Sequence, residues 1–159
     1  MSDVINKYLI VRVSDNYYAI DIFDIQSIVE YKQPTRLIGS PEEVLGLINH
    51  FDKLWSVIDL KKFYHKDFIN VQLNEDGVPT EQSRGCKTIL LFDQKNGLLV
   101  EEASRTENVE ANDIKKVEIE GKEYSVINMN GQLACIINLA EILRKEIVAE
   151  NEEKVEVVA

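Results

Sequence analysis

A mainly all-β chain folded as two small barrels side by side is what this sequence predicts, on three observations. Short β-branched and apolar runs joined by turn residues fill most of its length, the same pattern starts again past mid-chain, and each copy is of a size that is only marginal alone. At an offset of 79 residues, Leu47-Ile48-Asn49 lines up with Val126-Ile127-Asn128, Leu54 with Leu133, Val57-Ile58-Asp59-Leu60 with Ile136-Ile137-Asn138-Leu139, and Phe63-Tyr64 with Ile142-Leu143, without a gap. With an adjustment of one or two residues, Leu9-Ile10-Val11 matches Ile89-Leu90-Leu91 and Ile20-Asp21-Ile22 matches Leu98-Leu99-Val100. Two copies of so long a period mean a duplicated β unit, since a solenoid needs at least three short repeats. A small sheet of about five strands avoids open edges by curling, and two marginal barrels would share an apolar face. A single ten-stranded sandwich is the alternative.

The elements follow in order. Tyr8 to Val13 and Tyr17 to Ile22 flank the turn Ser14-Asp15-Asn16 and read as a hairpin. Ile25, Ile28 and Val29 continue the apolar pattern to Tyr31, until Pro34, which has no amide hydrogen for a central ladder. Ser40-Pro41-Glu42-Glu43 reads as a short helical turn, with a capping hydroxyl and then Pro at the first helical position. Leu45 to Ile48 and Leu54 to Leu60 make another hairpin around Asn49 to Lys53. Polar composition from His65 to Cys86 predicts a linker or mobile loop.

The pattern then restarts. Thr88 to Phe92 and Leu98 to Val100 flank Asp93 to Gly97, where Asn96-Gly97 would supply the positive-φ turn residues. Tyr124 to Asn128 and Leu133 to Leu139 flank Asn130-Gly131, and Ile142, Leu143 and Ile147 stand at helical spacing from Ala140 to Val148. The expected organisation is a first lobe over 1–64, a linker over 65–87, a second lobe with a closing helix over 88–150, and an acidic tail over 151–159.

Composition narrows the function. With 45% hydrophobic and 29% charged residues the balance is globular, and no apolar run approaches the length of a membrane span. A net charge of −10 repels phosphate backbones and anionic lipid, so neither nucleic acid nor direct membrane insertion is expected. The opening residues lack a signal pattern, which places the chain in the cytoplasm. Cys86 and Cys135 read as free thiols there, outside any metal-ligand spacing.

Chemistry is sparse. His50 falls in a turn and His65 at a lobe edge, without ligand-type neighbours, so both read as surface histidines. Glu101-Glu102 would point to opposite faces of a strand, and Glu150 to Glu153 fall in the tail. No nucleophile motif, metal motif or nucleotide-binding loop is present, so no enzyme and no cofactor is expected. The aromatic residues Tyr17, Tyr18, Trp55, Phe63 and Tyr64 read as core or barrel-end plugs, while Phe51, in a turn, has the position of a contact residue.

Tyr18-Ala19-Ile20-Asp21-Ile22, Ile25-Gln26-Ser27-Ile28, Thr35-Arg36, Pro41, Leu45-Gly46-Leu47-Ile48-Asn49, Val57-Ile58-Asp59-Leu60 and Gly97-Leu98-Leu99-Val100-Glu101 stand in a recognisable order and spacing. In these residues the chain resembles the bacterial chemotaxis coupling proteins of the CheW-like family, over about residues 7 to 145. The resemblance implies two five-stranded SH3-like β-barrels packed side by side, with short helices including one near the C-terminus. It also implies a non-catalytic adaptor located at membrane-associated receptor arrays. Its partners would be the cytoplasmic tips of methyl-accepting chemoreceptors and the regulatory domain of the histidine kinase CheA.

Carried over by position, the receptor groove would hold Ile25, Gln26, Ile28, Gly46, Ile89, Ala103 and Thr106, to which the turn residue Phe51 is added, and Lys115 would make a kinase or ring contact. An apolar groove of this kind suits a helical hairpin, although Ile25, Ile28 and Ile89 read equally well as barrel core. Two departures stand out. The family usually reads Asn-Leu-Arg-Gly where this chain has Asn49-His50-Phe51-Asp52, and an acid where it has Ser27. Losing both members of an acid and arginine pair is nearly neutral where losing one is not, which marks a coordinated change. The functional alternative is therefore a divergent regulator that binds one partner only or competes with a standard adaptor in another pathway.

Overall fold

The structure, a computed structural model, describes residues 5–143. Strands β1 (Ile5–Val13) and β2 (Asn16–Asp21) form a hairpin, and a 3-10 turn at Ile22–Asp24 leads into β3 (Ile25–Glu30). The hairpin β4 (Val44–His50) and β5 (Lys53–Asp59) runs into helix α1 (Leu60–Tyr64). Beyond an irregular stretch lie β6 (Lys87–Leu91), β7 (Asn96–Val100), β8 (Glu102–Glu110), a 3-10 turn at Ala111–Asp113, β9 (Ile114–Ile119), β10 (Lys122–Met129) and β11 (Gln132–Ile136). A helical turn opens at Leu139. The rest of the expected closing helix, with Ile147, and the acidic tail lie outside the described residues.

The strands form two sheets, one ordered β8-β1-β2-β11-β10-β9 and the other β3-β6-β7-β5-β4. Every strand of the first feeds one apolar cluster: Tyr8, Ile10, Ala19, Val109, Ile114, Ile127, Met129 and Ala134. Every strand of the second feeds another, through Val29, Ile48, Trp55, Val57, Leu90 and Leu99. A flat sheet cannot aim all its strands at one cluster, so each closes around its own core as an SH3-like barrel. The two expected barrels are present, and one carries a sixth strand, β9.

Side-chain alternation makes the barrels share a third core. Leu9, Val11 and Val13 turn away from Tyr8 and Ile10, and Ile89, Leu91, Leu98 and Val100 turn away from Leu90 and Leu99. All of these meet Ile20, Ile58, Leu60 and Ile142 between the barrels. This accounts for β1, β6 and β7 being apolar on both faces.

The expected division into lobes 1–64 and 88–150 does not coincide with the sheets. The β1–β2 hairpin lies between β8 and β11, and the β6–β7 hairpin lies between β3 and β5. Each repeat thus lends its first hairpin to the other's barrel, through parallel pairing of β2 with β11 and of β7 with β5. The stretch expected as a free linker is also held down: Ile69 and Cys86 are buried in the five-stranded barrel's core, and Leu73 bridges to Pro79.

The repeat is visible in atomic detail. Asn49 Oδ1 accepts from Asp52 N at 3.0 Å in the β4–β5 turn, and Asn128 Oδ1 accepts from Gly131 N at 2.9 Å in the equivalent β10–β11 turn. Asp59 caps α1, one oxygen accepting from Lys61 N at 2.9 Å and Lys62 N at 3.2 Å. Its equivalent, Asn138, accepts from Glu141 N at 3.4 Å where the second helical turn opens. The other oxygen of Asp59 accepts from Ile69 N at 2.8 Å. Burial raises the Asp59 carboxyl pKa while these three amides oppose the rise. This cap ends β5 one residue before the strand expected to reach Leu60.

Two local expectations are corrected. Residues 41–43 form a tight turn, with Val44 N donating to Pro41 O at 3.0 Å, and the Ser40 hydroxyl donates backward to Leu37 O. In the β6–β7 turn the left-handed residue is Gln94, at φ 60°. Asn96 and Gly97 are already in β7, where a Cβ on Gly97 would stand 2.8 Å from the Thr88 methyl.

Candidate functional site

Three connections meet at one end of the five-stranded barrel. Parallel pairing sets the start of β5 beside the start of β7, so the β4–β5 turn adjoins the β6–β7 turn. Ser56 N donates to Lys95 O at 2.7 Å, and the Lys53 ammonium bonds the Gln94 amide. Phe92 N donates to Asp24 O at 3.0 Å, which ties in the 3-10 turn after β2. Each connection displays a phenylalanine: Phe51 is 90% exposed, Phe23 78% and Phe92 58%.

Local chemistry fixes each one outward. Phe51 and Asp52 are both left-handed, at φ 52° and 61°, as a two-residue hairpin turn requires. A bulky side chain is costly there, and Phe51 recovers only an edge contact with the His50 ring at 4.4 Å. Asp21 accepts from Phe23 N at 2.9 Å and so caps the 3-10 turn that presents Phe23. Asp24 beside it has its carboxyl pKa raised by burial and by the Asp21 charge.

The matching end of the six-stranded barrel is polar. Its β1–β2 and β10–β11 turns carry Ser14, Asp15, Asn130 and Gly131. The Glu101 carboxylate accepts from Ser14 N, and Arg12 pairs with Glu102 at 3.4 Å. The aromatic end is therefore peculiar to one barrel.

The structure separates the residues expected in the groove. Ile89 is fully buried and Ile25 nearly so, both in the core between the barrels, so neither can touch a partner. For these two the core reading is the correct one. Gly46 is buried under Thr35 and Arg36 and is a packing residue. Gln26 and Ile28 do face outward on β3, and Thr106 faces outward on β8. Ile25 and Ala103 both pack on the shared core, so the starts of β3 and β8 border the seam between the barrels. Lys115 is exposed on β9, apart from that seam. Phe23 and Phe92 were not singled out from sequence; their signal was an aromatic beside a turn, the same as for Phe51.

Surface clefts also lie among the described residues. One, about 400 Å³, lies among Glu107, Asp113, Lys115, Asn128 and Met129. Another, about 360 Å³, is lined by Tyr64, Lys122, Tyr124, Cys135 and Glu141. Burial raises the Cys135 pKa and so disfavours its thiolate, and the Lys122 ammonium is bonded to the Glu141 carboxylate. Tyr64 stacks on Tyr18 at 5.0 Å, burial pushes the Tyr18 phenol up to about 12, and its hydroxyl lies 3.1 Å from His65 Nε2. His65, expected at the surface, is thus half-buried. Among the described residues no group of His, Cys, Asp and Glu could hold a metal ion, and no helix is long and apolar enough to cross a membrane.

Comparison with known proteins completes the description. The family model of the CheW-like domain matches residues 7–146. No curated protein matches the sequence. Among solved structures, the scaffolding protein TtCheW from Thermoanaerobacter tengcongensis has the same fold, with a TM-score of 0.68 at 22% identity over 85% of this chain and 90% of that one.

Proposed function

The chain belongs to the CheW-like domain family, and on that premise we propose that it is a cytoplasmic, non-catalytic adaptor joining chemoreceptor tips to the regulatory domain of the CheA kinase. The observation that carries this reading is the aromatic barrel end, where Phe51, Phe23 and Phe92 are held out of the core. Apolar side chains kept in water, that of Phe51 at a conformational cost, supply the buried centre that a protein interface needs. Gln26, Ile28, Ala103 and Thr106 along the seam are the proposed receptor-facing set, and Lys115 on β9 a proposed ring contact. The scaffolding role of the solved TtCheW structure supports the adaptor class.

A second reading rests on one specific observation. Phe51 and Asp52 stand where the family usually has Arg and Gly, which favours a regulator that engages a single partner through this turn.

Phe51→Asn separates a binding role from a structural one. Asn tolerates the left-handed conformation, so folding stability should hold or rise by about 0.5 kcal/mol, while partner affinity should fall by about 1 to 2 kcal/mol. Calorimetric titration against the kinase regulatory domain, and separately against a receptor-tip fragment, reads the second quantity, and urea unfolding reads the first. Unchanged affinity for both partners would remove the aromatic end from the proposed interface.

A further inference from the structure

Beyond the adaptor surface, we propose that the exposed edge of β9 pairs with the same edge of a second copy of this chain, joining two six-stranded sheets in antiparallel register around Val117. Among the described residues β9 ends its sheet and pairs only with β10. The β9–β10 ribbon also outruns the barrel, because β11 pairs with β10 only over Val126–Met129 while β9 pairs with it from Lys122 onward. In the first repeat the counterpart of this strand is a single antiparallel bridge, Thr35 to Leu47. Val117 and Ile119 are both exposed.

The backbone is set for pairing. Glu120 and Gly121 are left-handed, at φ 51° and 80°, and form a two-residue turn that closes on Ile119 and Lys122. That closing pair exchanges its ladder bonds, so alternation turns the amides and carbonyls of Lys116 and Glu118 toward the open edge. Lysines usually blunt such edges against chance pairing. Here the charges select one register instead. Centred on Val117, antiparallel pairing sets Lys116 against Glu118 of the second copy and Glu118 against its Lys116, with the two valines in the close, non-bonded position between them. Slipping the centre to Lys116 would oppose two lysines, and slipping it to Glu118 would oppose two glutamates. Within the chain Lys116 pairs with an exposed Glu123 at 3.8 Å, a pair weak enough to exchange.

Sedimentation velocity on the full chain at physiological salt, where repulsion from the net charge of −10 is screened beyond about 8 Å, should show a monomer–dimer equilibrium. Lys116→Glu should abolish the dimer, and so should Glu118→Pro, which removes an amide from the open edge. The double variant Lys116→Glu with Glu118→Lys restores opposite charges in the same register and should restore the dimer. The exposed charge variants report even if the proline variant fails to fold. A monomer at every concentration, which is also the outcome if the edge serves some other extended peptide, would overturn the proposal. So would a dimer indifferent to Lys116→Glu, or a double variant that stays monomeric.

Discussion

Cut at the exposed turn between Asp76 and Gly77, the chain should give two fragments that do not hold the native fold separately and recover it when mixed. The reason is the exchange of hairpins. Without the second half, β1–β2 loses both neighbours, β8 and β11, and β3 loses β6. The first fragment keeps only two-stranded hairpins, which are marginal in water. It also loses Ile89, Leu91, Leu98 and Val100 from the shared core. Far-ultraviolet circular dichroism of each fragment and of their equimolar mixture measures this. A native-like spectrum with cooperative melting from residues 1–76 alone would contradict the interleaved topology.

Gly46→Ala should be the most destabilising glycine-to-alanine change in the protein. Gly46 sits at φ 145°, and a Cβ there would stand 2.0 Å from Thr35 O, 2.5 Å from Thr35 C and 2.9 Å from Arg36 Cα. All three are backbone atoms, held by the reciprocal 2.8 Å hydrogen bonds between Thr35 and Leu47. Neither a rotamer change nor a small shift relieves the clash, so the loss should be about 3 kcal/mol or more, close to 10 °C in Tm for a domain of this size. Gly121→Ala is the control: φ is 80° there too, but nothing lies within 4 Å, and about 1 kcal/mol is expected from conformation alone. Equal losses at the two positions would mean that the segment carrying Thr35 yields readily.

Much of the fold was legible because hairpins and duplication leave local marks. Alternating apolar residues and the 79-residue offset gave both barrels and their shared face. The exchange of hairpins was not legible, since an offset says which segments are equivalent and is silent on which copy each pairs with. β8 and β9 were missed as strands because they carry few buried side chains, Val109 on β8 being fully buried and Ile114 on β9 partly so. Within the candidate site, Ile25 and Ile89 looked like Ile28, because an apolar residue in a strand reads alike whether it faces a core or a partner. Only the pleat and the second barrel decide between them. Phe51 was legible from its turn, and Phe92 and Phe23 joined it through pairings distant in sequence.

The most direct test of a coupling role is simultaneous binding. Receptor-tip fragment added to a preformed complex of this protein with the kinase regulatory domain should produce a larger, ternary species in sedimentation velocity, with no free kinase domain released. Displacement of the kinase domain by the receptor fragment, or failure to bind one of them at all, would contradict the adaptor reading and leave a single-partner regulator in its place.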